Sequence, residues 1–96
     1  MTEFSLDRLC VVLNIGQLSI SMHLAQDAVT LKRYAYHARL KKYERKHGNI
    51  GRLDPNNAAH AGAIAYTADA YEALMAARRN AYNIKRRWQN ACRKFN

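Results

Sequence analysis

Small and apolar residues recur along the C-terminal half of the chain at helical spacing. Ala70, Leu74, Ala77, Ala81, Ile84, Trp88, Ala91 and Phe95 follow one another in alternating steps of four and three. That rhythm marks a helix packing along one seam. Upstream, Leu24, Ala28, Leu31, Ala35 and Ala38 keep the same rhythm, and Val29, Tyr36, Leu40 and Tyr43 beside them widen the apolar face. A shorter group near the N-terminus, Leu6, Leu9, Cys10 and Leu13, makes a third amphipathic element.

Boundary residues divide these patterns into three helices. Ser5 is a capping residue, and Asp7 stands in the first turn, where the helix dipole favours negative charge. Asn14 and Gly16 are stop residues. A second start lies near Ser19 or Ser21. Arg45, Lys46 and His47 suit a helix C-terminus, and Gly48 ends the element. Asp54 followed by Pro55 is a restart signal, because Pro at the first helical position has no N–H to leave unpaired. The expected helices are therefore about 5–14, 19–47 and 54–94. Gly62 lies inside the third, at a cost of up to ~1 kcal/mol relative to Ala. A close backbone approach from the facing helix would account for it.

A short loop, Gly48 to Leu53, between two long helices implies an antiparallel hairpin. The expected fold is thus all-α, an antiparallel long-helix hairpin with a short N-terminal helix packed on its open end. Folding back from the loop sets Tyr43 near Ala59, Tyr36 near Tyr66 and Ile20 near Tyr82. The second helix would be about 42 Å long and the third about 60 Å, an overshoot of about three turns. Leu6, Leu9 and Leu13 are the apolar residues left to cover Ile84, Trp88, Ala91 and Phe95 on that overhang.

At 96 residues the chain is expected to be one domain with a small core. Much of its 49% hydrophobic fraction is Ala, so the core should be thin. No apolar stretch is expected to approach the roughly 20 residues of a membrane span. Cys10 and Cys92 make no disulfide framework, and the N-terminus does not read as a signal peptide. A reduced, cytoplasmic setting is expected.

Charge changes the picture most. Sixteen Lys and Arg against seven Asp and Glu give a formal charge of +9, which attracts polyanions. One basic group comprises Lys32, Arg33, Arg39, Lys41, Lys42, Arg45 and Lys46, with Arg52 in the loop. The other comprises Arg78, Arg79, Lys85, Arg86, Arg87, Arg93 and Lys94. In an antiparallel hairpin the two groups fall toward opposite ends of a rod, which would let it span about one turn of a duplex. Of six tyrosines, Tyr36, Tyr43 and Tyr66 are expected to flank the seam. Tyr34, Tyr71 and Tyr82 are the candidates for a surface role, stacking on bases or anchoring a partner; Tyr34 and Tyr82 join the candidate binding residues.

Ile15-Gly16-Gln17-Leu18 followed by Thr30-Leu31-Lys32-Arg33-Tyr34 resembles the two blocks of the MerR-type DNA-binding head, over about a fifth of the chain. Two extra residues separate the blocks and the small-residue turn between the helices is missing, so no residue role is carried over. His23, His37, His47, His60 and the two cysteines lack close ligand spacing, so no metal or other cofactor is expected. His47 and His60 would face each other at the hairpin neck, and Cys10 and Cys92 would approach at the other end. Asp69 and Glu72 share a helix face without a pocket to perturb them, and no nucleophile–base pair or phosphate loop appears. The chain is expected to be no enzyme.

The expected function is a nucleic-acid-associated binding protein working mainly through phosphate contacts. The alternative is an adaptor or inhibitor docking on an acidic surface of a nucleic-acid-processing enzyme, of the kind mobile elements encode. A third reading is a structural subunit of a helical-bundle oligomer, including a homodimer.

Overall fold

A computed structural model describes residues 5–95, and within them the chain is all-α with no strand. Two long helices pack against each other: α1 spans Leu6–His47 and α2 spans Ala61–Phe95. The loop between them closes with a 3-10 turn at Ala58–His60. The molecule is a rod of 68 × 22 × 17 Å. Its length follows from α1, whose 42 residues rise about 63 Å.

The Ser5 hydroxyl accepts from the Arg8 N–H at 3.1 Å and so caps α1. Gly48, at φ +89°, ends it and donates its N–H to the Glu44 carbonyl at 2.7 Å. Between these residues the helix does not break. The expected short N-terminal helix is therefore absent, and segments 5–14 and 19–47 are one element. A helix-interior glycine costs only ~1 kcal/mol. A break at Asn14–Gly16 would free a set of backbone groups on each side and uncover the end of α2. Gly16 is an exposed helical residue with open space around it. The same continuity removes the inter-helix turn that a MerR-type head requires.

All eight residues of the predicted α2 stripe are buried or half-buried, and Ala63 and Thr67 extend it by two steps. Buried Thr67 donates its hydroxyl to the Ala63 carbonyl at 2.8 Å, which satisfies it locally. On α1 the expected stripe is displaced. Leu24, Leu31, Ala35 and Ala38 are exposed, and only Ala28 is half-buried. The side facing α2 carries Val11, Ile15, Leu18, Met22, Ala25, Val29, Tyr36, Leu40 and Tyr43. Those positions also step by four and three, interrupted once near Lys32. Two apolar rows run along α1 on opposite sides, and only one is covered. The residues that meet α2 are of mixed size, from Ala25 to Tyr36 and Tyr43, and they pack against a seam that alternates small Ala with Leu74, Ile84 and Trp88. The core is thin: Ala25, Val29, Ala63, Leu74, Ala81 and Ala91.

Contacts run in opposite chain order along the two helices. The Tyr43 ring lies 5.7 Å from Tyr66, Tyr36 lies 5.7 Å from Tyr71, and the Arg8 guanidinium sits 4.6 Å over Phe95. The register is shifted by more than a turn from the expected pairing of Tyr36 with Tyr66. Ile20 is exposed, while Tyr82 borders a groove with Gln26, Val29 and Arg33. The shift follows from a longer loop. Asp54 does not start a helix: its carboxylate accepts from the Asn56 N–H at 2.9 Å, and its own N–H donates to His60 Nδ1 at 2.9 Å. Asn57 takes the capping role, accepting from the Ala59 N–H at 3.0 Å. Leu53 and Pro55 fold back to line a cleft with Tyr36, Ile64 and Tyr71.

Leu6, Leu9 and Leu13 do not cover the end of α2; all three are exposed. Val11 and Leu18, on the other side of α1, face Ala91 there. The unbroken helix also changes the hydropathy picture. By length and composition α1 is long and apolar enough to cross a membrane, with mean hydropathy 1.3 over its most apolar 18 residues. That apolar stretch is not alone, however: α2 lies along its Val11–Leu18 side and brings Arg87 and Lys94 to the same groove.

Candidate nucleic-acid interface

All sixteen candidate binding residues are exposed: Lys32, Arg33, Tyr34, Arg39, Lys41, Lys42, Arg45 and Lys46 on α1, and Arg78, Arg79, Tyr82, Lys85, Arg86, Arg87, Arg93 and Lys94 on α2. Helical spacing sorts those on α2 into ridges. Arg79, Arg86 and Arg93 are seven residues apart and stand opposite the seam. Arg78 and Lys85 border the seam on one side, Arg87 and Lys94 on the other.

The two basic groups do not stay at opposite ends. Arg33 of α1 and Arg78, Tyr82 and Lys85 of α2 line one groove over Val29 and Ala81, near the middle of the rod. The basic surface is therefore continuous from the loop half of α1 to the far half of α2. On the other flank, Arg87 and Lys94 border a groove with Asn14 and Leu18. Tyr34, His37, Lys41, Lys42 and Arg45 form a further patch on α1 alone.

Some of these cations have local partners. Arg39 lies 4.8 Å over the Tyr66 ring and donates to the Tyr66 carbonyl at 3.5 Å, so it bridges the helices. Arg86 lies 5.9 Å from the exposed Tyr82 ring, and Arg93 donates to Asn90 Oδ1 at 2.7 Å. Among the described residues none of the candidate Lys and Arg side chains forms an ion pair. The pair that does form, His23 with Asp27 at 3.6 Å, involves neither group. Asp69 and Glu72 border an open groove with Arg79, but no ion pair joins them to it. Uncompensated like charges held on a rigid helix leave a strong field at the surface.

The tyrosines divide as their positions dictate. Tyr36, Tyr43 and Tyr66 are half-buried at the seam. Tyr34, Tyr71 and Tyr82 are exposed, with Tyr71 leaning on Tyr36. His47 stacks on Tyr43 at 4.2 Å, and His60 is engaged by Asp54, so neither ring is aimed at the other as a ligand. Among the described residues no three His, Cys, Asp or Glu side chains gather as a metal site. Cys10 is an exposed thiol.

No known protein family, curated protein or solved structure matches the chain.

Sequence reasoning missed the meeting of Arg33 with Arg78 and Lys85, which depends on register. A signal was present: Arg33 stands one turn from Val29, and Arg78 adjoins Ala77. Arg8 was also missed. Its place beside Phe95 depends on α1 running unbroken to Ser5.

Proposed function

We propose that the chain is a nucleic-acid-associated protein, a two-helix hairpin that binds mainly through phosphate contacts and has no catalytic role. The observation that carries this reading is the groove of Arg33, Arg78 and Lys85 beside exposed Tyr82, with none of the three cations ion-paired. Three cations converging from two helices suit one or two phosphates, and a tyrosine at their edge suits a sugar or an unstacked base. Further cations along the rod would add phosphate contacts and released counterions. At 68 Å the rod matches about two turns of duplex at roughly 34 Å each.

The test is the salt dependence of binding to a duplex and to a single strand. Log affinity should fall with log salt at about 0.7–0.9 per phosphate engaged. Arg33→Glu with Arg78→Glu should weaken binding to all sequences alike and flatten the slope. Weak binding at 150 mM salt that ignores these changes would reject the reading. It would favour instead an adaptor or inhibitor that docks its basic surface on an acidic protein.

A further inference from the structure

The second apolar row of α1 has no cover within the chain. Leu6, Leu13, Ile20, Leu24 and Leu31 are 80%, 58%, 64%, 62% and 67% exposed, and Leu9 is 44% exposed. They run over 25 residues, about 38 Å of helix. Together they expose on the order of 600 Å², at the upper end of the largest patch on an ordinary monomer. With their margins they approach the ~800 Å² that each partner buries in a standard interface.

The spacing of this row identifies what fits it. From Leu6 to Leu13 to Leu24 to Leu31 the steps are seven, eleven and seven residues, the same read in either direction. The centre falls midway between Leu18 and Ser19. A second α1 laid antiparallel about that point sets Leu6 against Leu31 and Leu13 against Leu24, twice over. Leu9 then meets Ala28, and Ile20 meets the aliphatic part of Gln17. A two-fold contact needs such a self-complementary surface.

Charge selects the same arrangement. The seven Lys and Arg that α1 carries between residues 32 and 46 all lie beyond the row on one side. A parallel pair would set both clusters side by side. An antiparallel pair sends them to opposite ends, where two chains of +9 repel least. A membrane-spanning α1 fits the structure poorly. Arg87 and Lys94 adjoin the same length of α1, and a basic residue at the bilayer centre costs about 2.5–3.5 kcal/mol.

We infer that two copies of this chain associate antiparallel through the Leu6–Leu31 face of α1, centred between Leu18 and Ser19. The covered and uncovered rows of α1 are on opposite sides. The dimer is therefore a flat layer with the order α2, α1, α1, α2, rather than a square four-helix bundle, and both α2 basic ridges stay on its outside. The inference stands independently of nucleic-acid binding.

Sedimentation equilibrium of the nuclease-treated full chain tests it. The expected mass is twice 11.0 kDa. Leu24→Glu should halve it without loss of helical circular dichroism, because that side chain is exposed on the side of α1 away from α2. Orientation is read with a spin label at Lys41→Cys, with Cys10 and Cys92 changed to Ser. The antiparallel register places the two labels about 68 Å apart, and a parallel pair within about 20 Å. A monomer at 100 μM would overturn the inference, as would a dimer that survives Leu24→Glu or a short label distance. Stable insertion of a monomer into phosphatidylcholine vesicles would overturn it in favour of a membrane.

Discussion

The Tyr43 hydroxyl lies 2.6 Å from where a Cβ on Gly62 would stand. The close approach expected at Gly62 therefore exists, but a side chain makes it and not the facing backbone. The Tyr43 ring is also held, stacked on His47 and packed against Tyr66. Its hydroxyl has little freedom to retreat.

Gly62→Ala should accordingly destabilise the protein despite the better helix propensity of Ala. In a Tyr43→Phe background the obstructing atom is gone and the next ring atom is 3.6 Å away. There the same change should stabilise by up to ~1 kcal/mol. A double-mutant cycle in urea reads the coupling; additive effects would mean the two residues do not meet.

Gly16→Ala tests the continuity of α1. A residue in mid-helix with open space around its Cβ should gain about 0.5–1 kcal/mol. A C-cap glycine with positive φ would lose stability instead. Gly48, at φ +89°, is the control, and Gly48→Ala should cost about 1–3 kcal/mol. Thermal melts of the two variants should move in opposite directions.

The two rows of α1 predict a contrast among alanines. Ala81→Leu enlarges a buried seam residue and should cost about 1–3 kcal/mol. Ala35→Leu and Ala38→Leu lie on the exposed side and should stay within about 0.5 kcal/mol of the parent. A large loss at Ala35 would restore the stripe first read from the sequence.

Trp88 is half-buried and its Nε1 is a buried donor with no hydrogen-bond partner. Its emission should be blue-shifted in the native protein and move to the red on denaturation. Trp88→Phe removes the unpaired donor together with some apolar area. It should cost less than Leu74→Ala, which empties a buried site at about 2–5 kcal/mol. Equal losses would indicate that the indole N–H is satisfied, by water or by a partner.

The sequence by itself determined the elements whose signals are local. Ser5 at one end of α1 and Gly48 at the other act through their own backbone, and the stripe from Ala70 to Phe95 repeats too regularly to be anything but one face of a helix. The sign of the surface was equally plain, because seven acids cannot pair with sixteen bases. Tertiary structure decided what depends on two helices at once. Whether Asn14–Gly16 ends a helix turned on the need to cover Ile84 through Phe95. Which α1 row faces inward turned on fit against α2, since both rows share the same period. Register followed from the Asp54–His60 contact and the Asn57 cap, and it brought Arg33 to Arg78. Periodicity reports that a face exists, while only a partner surface selects the face that is buried.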